Sequence, residues 1–261
     1  MGIDQDILGP ESGDAGWQAA LAALAWQFDL GVSEAMGEAP VDRYAVAEVV
    51  KLRAPAPPVV ASSDPVEVAR ALAAQAGTLA ELRAALSGFE LCALKQGAKT
   101  TVFADGTAGA RVLVLGEAPG REEDMAGLPF VGRAGQLLDL MFAAIGLSRS
   151  SPDPATALYI TNVMPWRPPQ NRDPEPDEIA MMKPFVERHI ALVDPEYVVC
   201  MGNTPCLALL GMKGITRLRG GWTQALGRPV LPMFHPAYLL RNPAAKRDAW
   251  ADLLALKARL G

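Results

Sequence analysis

The chain has 261 residues, half of them hydrophobic and a fifth charged, which excludes a disordered or fibrous protein and leaves room for one or two domains with a substantial core. No run approaches the roughly 20 apolar residues of a membrane span, and the acidic start Met1-Gly2-Ile3-Asp4-Gln5-Asp6 is unlike a basic export signal, so a cytoplasmic protein without membrane contact is expected. The formal net charge of −5 disfavours a polyanionic partner on average, yet residues 205–261 carry nine Lys/Arg against only Asp248 and Asp252, and screening beyond about 10 Å lets such a local basic face act by itself.

In chain order, residues 12–36 read as an amphipathic or largely buried helix, with Trp17, Leu21, Leu24, Ala25 and Phe28 near helical spacing. Residues 54–65 form a proline-rich linker, after which Asp64-Pro65 supplies a cap and first turn for a helix over 65–87. Nothing in this first stretch carries chemistry, and we read 1–84 as a helical extension preceding a domain over 85–261. From residue 110, short apolar runs at 111–115, 157–161, 197–201 and 230–234 have the length and composition of buried strands. Helices are expected between and after them, near 133–146, 177–192, 203–211 and 244–260. The last of these should pack Trp250, Leu253 and Leu254 on one face. Alternation of this kind predicts an α/β three-layer sandwich around a central, mostly parallel four-stranded sheet.

Open parallel sheets bind ligands beyond the carboxyl ends of their strands. Those positions read Gly116-Glu117-Ala118-Pro119-Gly120, Asn162, Gly202-Asn203 and His235-Pro236, so a carboxylate, an amide, two glycine turns and an imidazole should share one rim. Asn162 suits reading of a base edge, since an amide both donates and accepts, or it is simply a turn residue. The run Glu122-Glu123-Asp124 reads either as a solvated loop or as part of the site. The glycine spacing matches neither a phosphate-binding loop nor a dinucleotide fingerprint, which disfavours nucleoside triphosphate and nicotinamide chemistry. His189, within a helical run, is given no role. Three cysteines, Cys92, Cys200 and Cys206, make no Cys-x-x-Cys pair and are read as free buried thiols.

Five segments in this order, Gly-Glu-Ala-Pro-Gly-Arg-Glu-Glu-Asp (116–124), Leu-Pro-Phe-Val-Gly-Arg-Ala-Gly-Gln-Leu-Leu-Asp (128–139), Tyr-Ile-Thr-Asn-Val (159–163), Arg-Pro-Pro-Gln-Asn-Arg (167–172) and His-Pro-Ala-Tyr-Leu-Leu-Arg (235–241), resemble the uracil-DNA glycosylase superfamily, its family 4 in particular, over residues 85–256. The resemblance implies that Glu117 contributes to the hydrolytic site and that His235 hydrogen-bonds the charge developing at uracil O2. It implies a uracil pocket of Ala118, Glu123, Phe130 and Asn162, in which Phe130 stacks on the base, Asn162 reads its edge and Glu123 excludes the thymine methyl. Arg217, Arg219, Tyr238, Leu239, Leu240 and Arg241 would meet DNA, Leu239 or Leu240 as a wedge.

The expected protein is a monomeric, monofunctional glycosylase that removes uracil from DNA in base excision repair, without a lyase step because no lysine stands among the matched positions. Two alternatives remain, a uracil-DNA-binding module of the same fold and a glycosylase for another deaminated base. The histidine-bearing insert of a covalent trapping relative is missing from residues 163–180. Family 4 also implies a four-iron, four-sulfur cluster on four cysteines, whose places here read Phe89, Cys92, Trp166 and Met182. With one ligand of four kept, no cluster and no other cofactor or metal is expected.

Overall fold

The computed structural model of the chain describes residues 14–31 and 64–261. The chain divides between Pro58 and Val59. In the first unit the described part is helix α1 (Asp14–Asp29), whose Trp17, Leu21, Leu24, Trp26 and Phe28 side chains are exposed. The expected linker lies outside the described residues except for Asp64 and Pro65.

The described part of the second unit starts with α2 (Pro65–Gln75), capped by Asp64, whose Oδ1 accepts from the Val66 N–H at 3.0 Å. The expected helix over 65–87 is two helices, because a second start signal interrupts it. Thr78 and Glu81 form a reciprocal capping box that opens α3 (Leu79–Gly88). A short helix α4 (Leu94–Gly97) and edge strand β1 (Ala104–Gly106) follow. Then come β2 (Val112–Gly116), α5 (Arg121–Ala126), α6 (Arg133–Ala143), β3 (Leu158–Asn162), α7 (Pro176–Val193), β4 (Tyr197–Met201), α8 (Asn203–Leu210), α9 (Ile215–Leu218), β5 (Thr223–Ala225), β6 (Arg228–Met233), α10 (Pro236–Arg241) and α11 (Lys246–Leu260).

The sheet order is β1-β3-β2-β4-β6-β5. Its four inner strands are the expected ones and run parallel. Two short antiparallel edge strands, β1 and β5, bring the sheet to six. They escaped the sequence reading because three residues with Asp, Gly or Gln carry no apolar signal.

Alternate side chains of the inner strands feed opposite faces. Leu113, Leu115, Tyr159, Val198 and Cys200 pack with α2, α3, α7 and α8. Val112, Val114, Leu158, Ile160, Val199 and Leu231 pack with Leu138 and Phe142 of α6 and Leu253 and Leu256 of α11. Helices α2 and α3 are therefore built into the core, through buried Ala69, Ala73, Leu82 and Leu86, and are no extension ahead of residue 85. On α11 the buried stripe is Ala249, Asp252, Leu253 and Leu256, whereas Trp250 and Leu254 are exposed. The stripe is shifted because Asp252 is drawn inward by an ion pair with Arg219.

If α3 is core, Leu82→Ala will cost about 2 to 5 kcal/mol, read as a lowered midpoint in thermal or urea unfolding. A surface helix would show roughly 0.5 kcal/mol or less.

Candidate active site

Register places the site. Gly116 pairs with Asn162 at the ends of β2 and β3, and the Gly202 N–H donates to the Met233 carbonyl at 3.0 Å, which ties the end of β4 to that of β6. The residues just beyond these four strands line one cleft of about 590 Å³, together with Phe130, Lys213, Tyr238 and Arg241.

Asn162 is 8% exposed and its Oδ1 has no hydrogen-bond partner. Buried polar groups are nearly always paired, so this amide is arranged for a partner that enters the cleft. A Cβ on Gly116 would collide with both Asn162 Oδ1 and the Phe130 ring. The glycine is what lets ring and amide meet at the strand tip.

Phe130 lies in the left-handed region at φ 53°, a conformation worth about 1 to 3 kcal/mol of strain for a residue with a side chain. Its ring centroid is 5.4 Å from that of His235 at an interplanar angle of 28°. The two rings are stacked on each other, and Phe130 is only 6% exposed.

His235 follows β6 and caps α10. Its Nδ1 accepts from the Ala237 N–H at 3.1 Å, so the neutral ring carries its proton on Nε2. Burial, reinforced by the Arg241 charge, pulls its pKa down to about 4 despite the opposing Glu123 carboxylate. Near neutral pH the group is an uncharged donor.

Glu117 is partly buried in the same cleft, and burial pushes its carboxyl above the usual range. Thr204 counters this by donating from Oγ1 to Glu117 Oε2 at 2.6 Å. The sequence reading missed Thr204 although it is one residue beyond the Gly202-Asn203 turn. A hydroxyl at the start of a helix reads as a cap, and only the β2–β4 adjacency aims it at a carboxylate.

The acidic run is not a solvated loop. Asp124 is buried and accepts from the Lys99 and Thr100 N–H groups. Glu123 accepts from Gly120 through one oxygen and from Val131 and Gly132 through the other, at 2.9 to 3.1 Å. It lines the cleft, but its carboxylate is a tie between the loop after β2 and the loop carrying Phe130. Ala118 also lines the cleft.

Among the expected DNA contacts, Leu240 is 37% exposed but Leu239 is 1% exposed and packs with Phe234 and Ala249. Leu239 is a core residue and only Leu240 can be a wedge. Tyr238 stacks on Phe234 at 4.9 Å. Arg219 is not a free cation, since it pairs with buried Asp252, donates to the Asp248 carbonyl at 2.9 Å and lies over the Phe234 ring. Arg217 and Arg241 are exposed, as is Lys213, which the sequence reading left out. His189 is a core residue, sharing a hydrogen bond of 2.8 Å with the Tyr159 hydroxyl.

The uracil DNA glycosylase superfamily model matches residues 103–254. The chain is 39% identical to a type-4 uracil-DNA glycosylase of Thermotoga maritima over 154 residues, 58% of this chain and 77% of that one. It is 35% identical to the type-4 enzymes of Archaeoglobus fulgidus (55% of this chain, 73% of that one) and Saccharolobus solfataricus (65% and 80%).

Replacing Thr204 by Val removes the donor that favours the charged form of Glu117. The carboxyl titration of Glu117, followed by ¹³C NMR, will move to higher pH in Thr204→Val, and an unmoved midpoint would show the bond to be inconsequential.

Proposed function

Because the chain belongs to the uracil-DNA glycosylase superfamily, we propose that it hydrolyses the N-glycosidic bond of uracil in DNA and leaves an abasic site for base excision repair, acting as a monofunctional enzyme. The observation that carries this reading is the buried, unpartnered Asn162 Oδ1 in the cleft that Phe130 and His235 also line.

A nucleotide turned out of the stack, at a cost of a few kcal/mol, places its base against the Phe130 ring. The Asn162 carboxamide accepts from the uracil N3–H and donates to O4, a pattern that cytosine presents reversed at that edge. As the C1′–N1 bond breaks, the electron pair stays with the base. His235 donates from Nε2 to O2, where a preorganised donor is worth about 3 to 4 kcal/mol. A neutral imidazole can do this without surrendering its proton. Glu117 has Oε2 committed to Thr204, and its Oε1 orients the attacking water and accepts its proton as the oxygen bonds to C1′. Arg217, Arg241 and Lys213 supply phosphate contacts, with Leu240 filling the vacated stack. Among the described residues Lys213 is the only lysine lining the cleft, and it is solvent-exposed, whereas a Schiff-base lysine is desolvated.

Purified protein incubated with a uracil-containing oligonucleotide will release uracil and leave alkali-labile sites, with no covalent adduct after borohydride. His235→Ala will lower kcat by about 10² to 10³-fold with little change in DNA affinity. Equal losses in both would remove His235 from the leaving-group role.

The iron–sulfur cluster implied by family 4 does not fit the residues present. Phe89, Cys92, Trp166 and Met182 are all buried in one apolar cluster. Phe89 packs edge-on against Phe185 at 5.5 Å, and Trp166 Nε1 donates to Thr101 Oγ1 at 3.1 Å. Thiolates hold such clusters, and burial holds the one thiol, Cys92, above its usual pKa. Two aromatic rings and a thioether fill the remaining places. Freshly purified protein will contain neither iron nor acid-labile sulfide in stoichiometric amount, and finding both would overturn this part of the reading.

A further inference from the structure

The strained backbone at Phe130 needs a cause, since a left-handed aromatic residue persists only where its surroundings over-determine it. Most of those surroundings converge on one side chain outside the five motif segments. Arg149, in the loop after α6, donates from Nη2 to the Phe130 carbonyl at 2.9 Å and from Nη1 to the Pro129 carbonyl at 2.9 Å. The same guanidinium donates to Asp105 Oδ2 of β1 at 3.0 Å and to Asp139 Oδ1 of α6 at 2.8 Å. Its side chain is 14% exposed. Two carboxylates thus hold the guanidinium flat while its fork spans two consecutive carbonyls, a geometry that lysine cannot reproduce.

Other parts of the fold close the remaining freedom. Gly135 of α6 presses against the Phe130 carbonyl so closely that a Cβ there would overlap it. On the far side, Glu123 takes the Val131 and Gly132 N–H groups. The carbonyl before the ring, the carbonyl of the ring residue and the two amides after it are therefore all fixed, and the ring itself abuts Gly116.

We infer that Arg149 is a positioning residue for base recognition: by pinning the Pro129 and Phe130 carbonyls, braced by Asp105 and Asp139, it holds the Phe130 ring in the orientation on which the extruded base stacks. This rests on the functional reading above, so its test needs one arm that does not depend on turnover.

That arm is ¹⁹F NMR of full-length protein carrying 4-fluorophenylalanine at position 130. The wild type will give one sharp resonance, and Arg149→Gln will shift and broaden it or split it into several. An unchanged line would overturn the inference whether or not the protein cleaves uracil.

The kinetic arm is a double-mutant cycle on a uracil oligonucleotide. Arg149→Gln will lower kcat/KM about tenfold to a hundredfold, the scale of a misplacement near 1 Å. In a Phe130→Ala background the same substitution will change it less than about twofold, because the interaction it serves is already gone. Losses that multiply independently would mean that Arg149 acts on general stability and would overturn the inference. Arg149→Lys keeps a cation between Asp105 and Asp139 but loses the fork, so it reads the same quantity should the Gln variant fail to fold. It too will show the ¹⁹F change and the loss that vanishes without the ring, whereas wild-type behaviour of the Lys variant would overturn the proposal. Absence of cleavage by the wild type, with the ¹⁹F change still present, would instead count against the functional reading and leave the positioning role standing.

Discussion

The contact at Gly116 governs the site. The tip of β2 lies between β3 and β4, so whatever projects there separates the amide of Asn162 from the ring of Phe130. With only hydrogen on that Cα, the amide and the ring close in on the same point. The register of Gly116 with Asn162, the parallel course of the four inner strands and the strained turn at Phe130 all serve that juxtaposition. Its consequence is a polar atom left buried without a partner, a state that favours any ligand able to supply one.

Dehydration sets the electrostatics of the cleft. Burial lowers the pKa of His235 and raises that of Glu117, moving both towards their uncharged forms. One specific contact then acts on each. The Ala237 N–H fixes the tautomer of His235, and Thr204 supports the charged form of Glu117. The result is a neutral donor, His235, and a held acceptor, Glu117, in one cleft.

Elsewhere, charges that look available in sequence are consumed by the fold. Arg219 neutralises a carboxylate on the buried face of α11, Arg172 pairs with Glu178 of α7 and Arg149 braces the turn that carries Phe130. Each sits in an ion pair with at least one partly buried member, where removing one partner strands the other. Of the nine basic residues between 205 and 261, Arg219 and Arg228 are held in ion pairs, whereas Lys213, Arg217, Arg241, Lys246, Arg247 and Lys257 are exposed.

The sequence by itself determined the strand and helix alternation and the rim on which Glu117, Asn162 and His235 converge. Apolar periodicity and parallel topology are local and repetitive signals, and strand ends follow from them. It also determined the donor poverty of Phe89, Cys92, Trp166 and Met182, because ligand chemistry belongs to residue type. Only the tertiary structure decided that α2 and α3 belong to the core, that Leu239 is buried while Leu240 is not, and that Arg219 is already paired. Thr204 and Arg149 were invisible for the same reason. A hydroxyl aimed at Glu117 from 87 positions along the chain, or a guanidinium clamping a turn 19 positions away, leaves no periodic mark, since such contacts are set by which elements the sheet brings side by side.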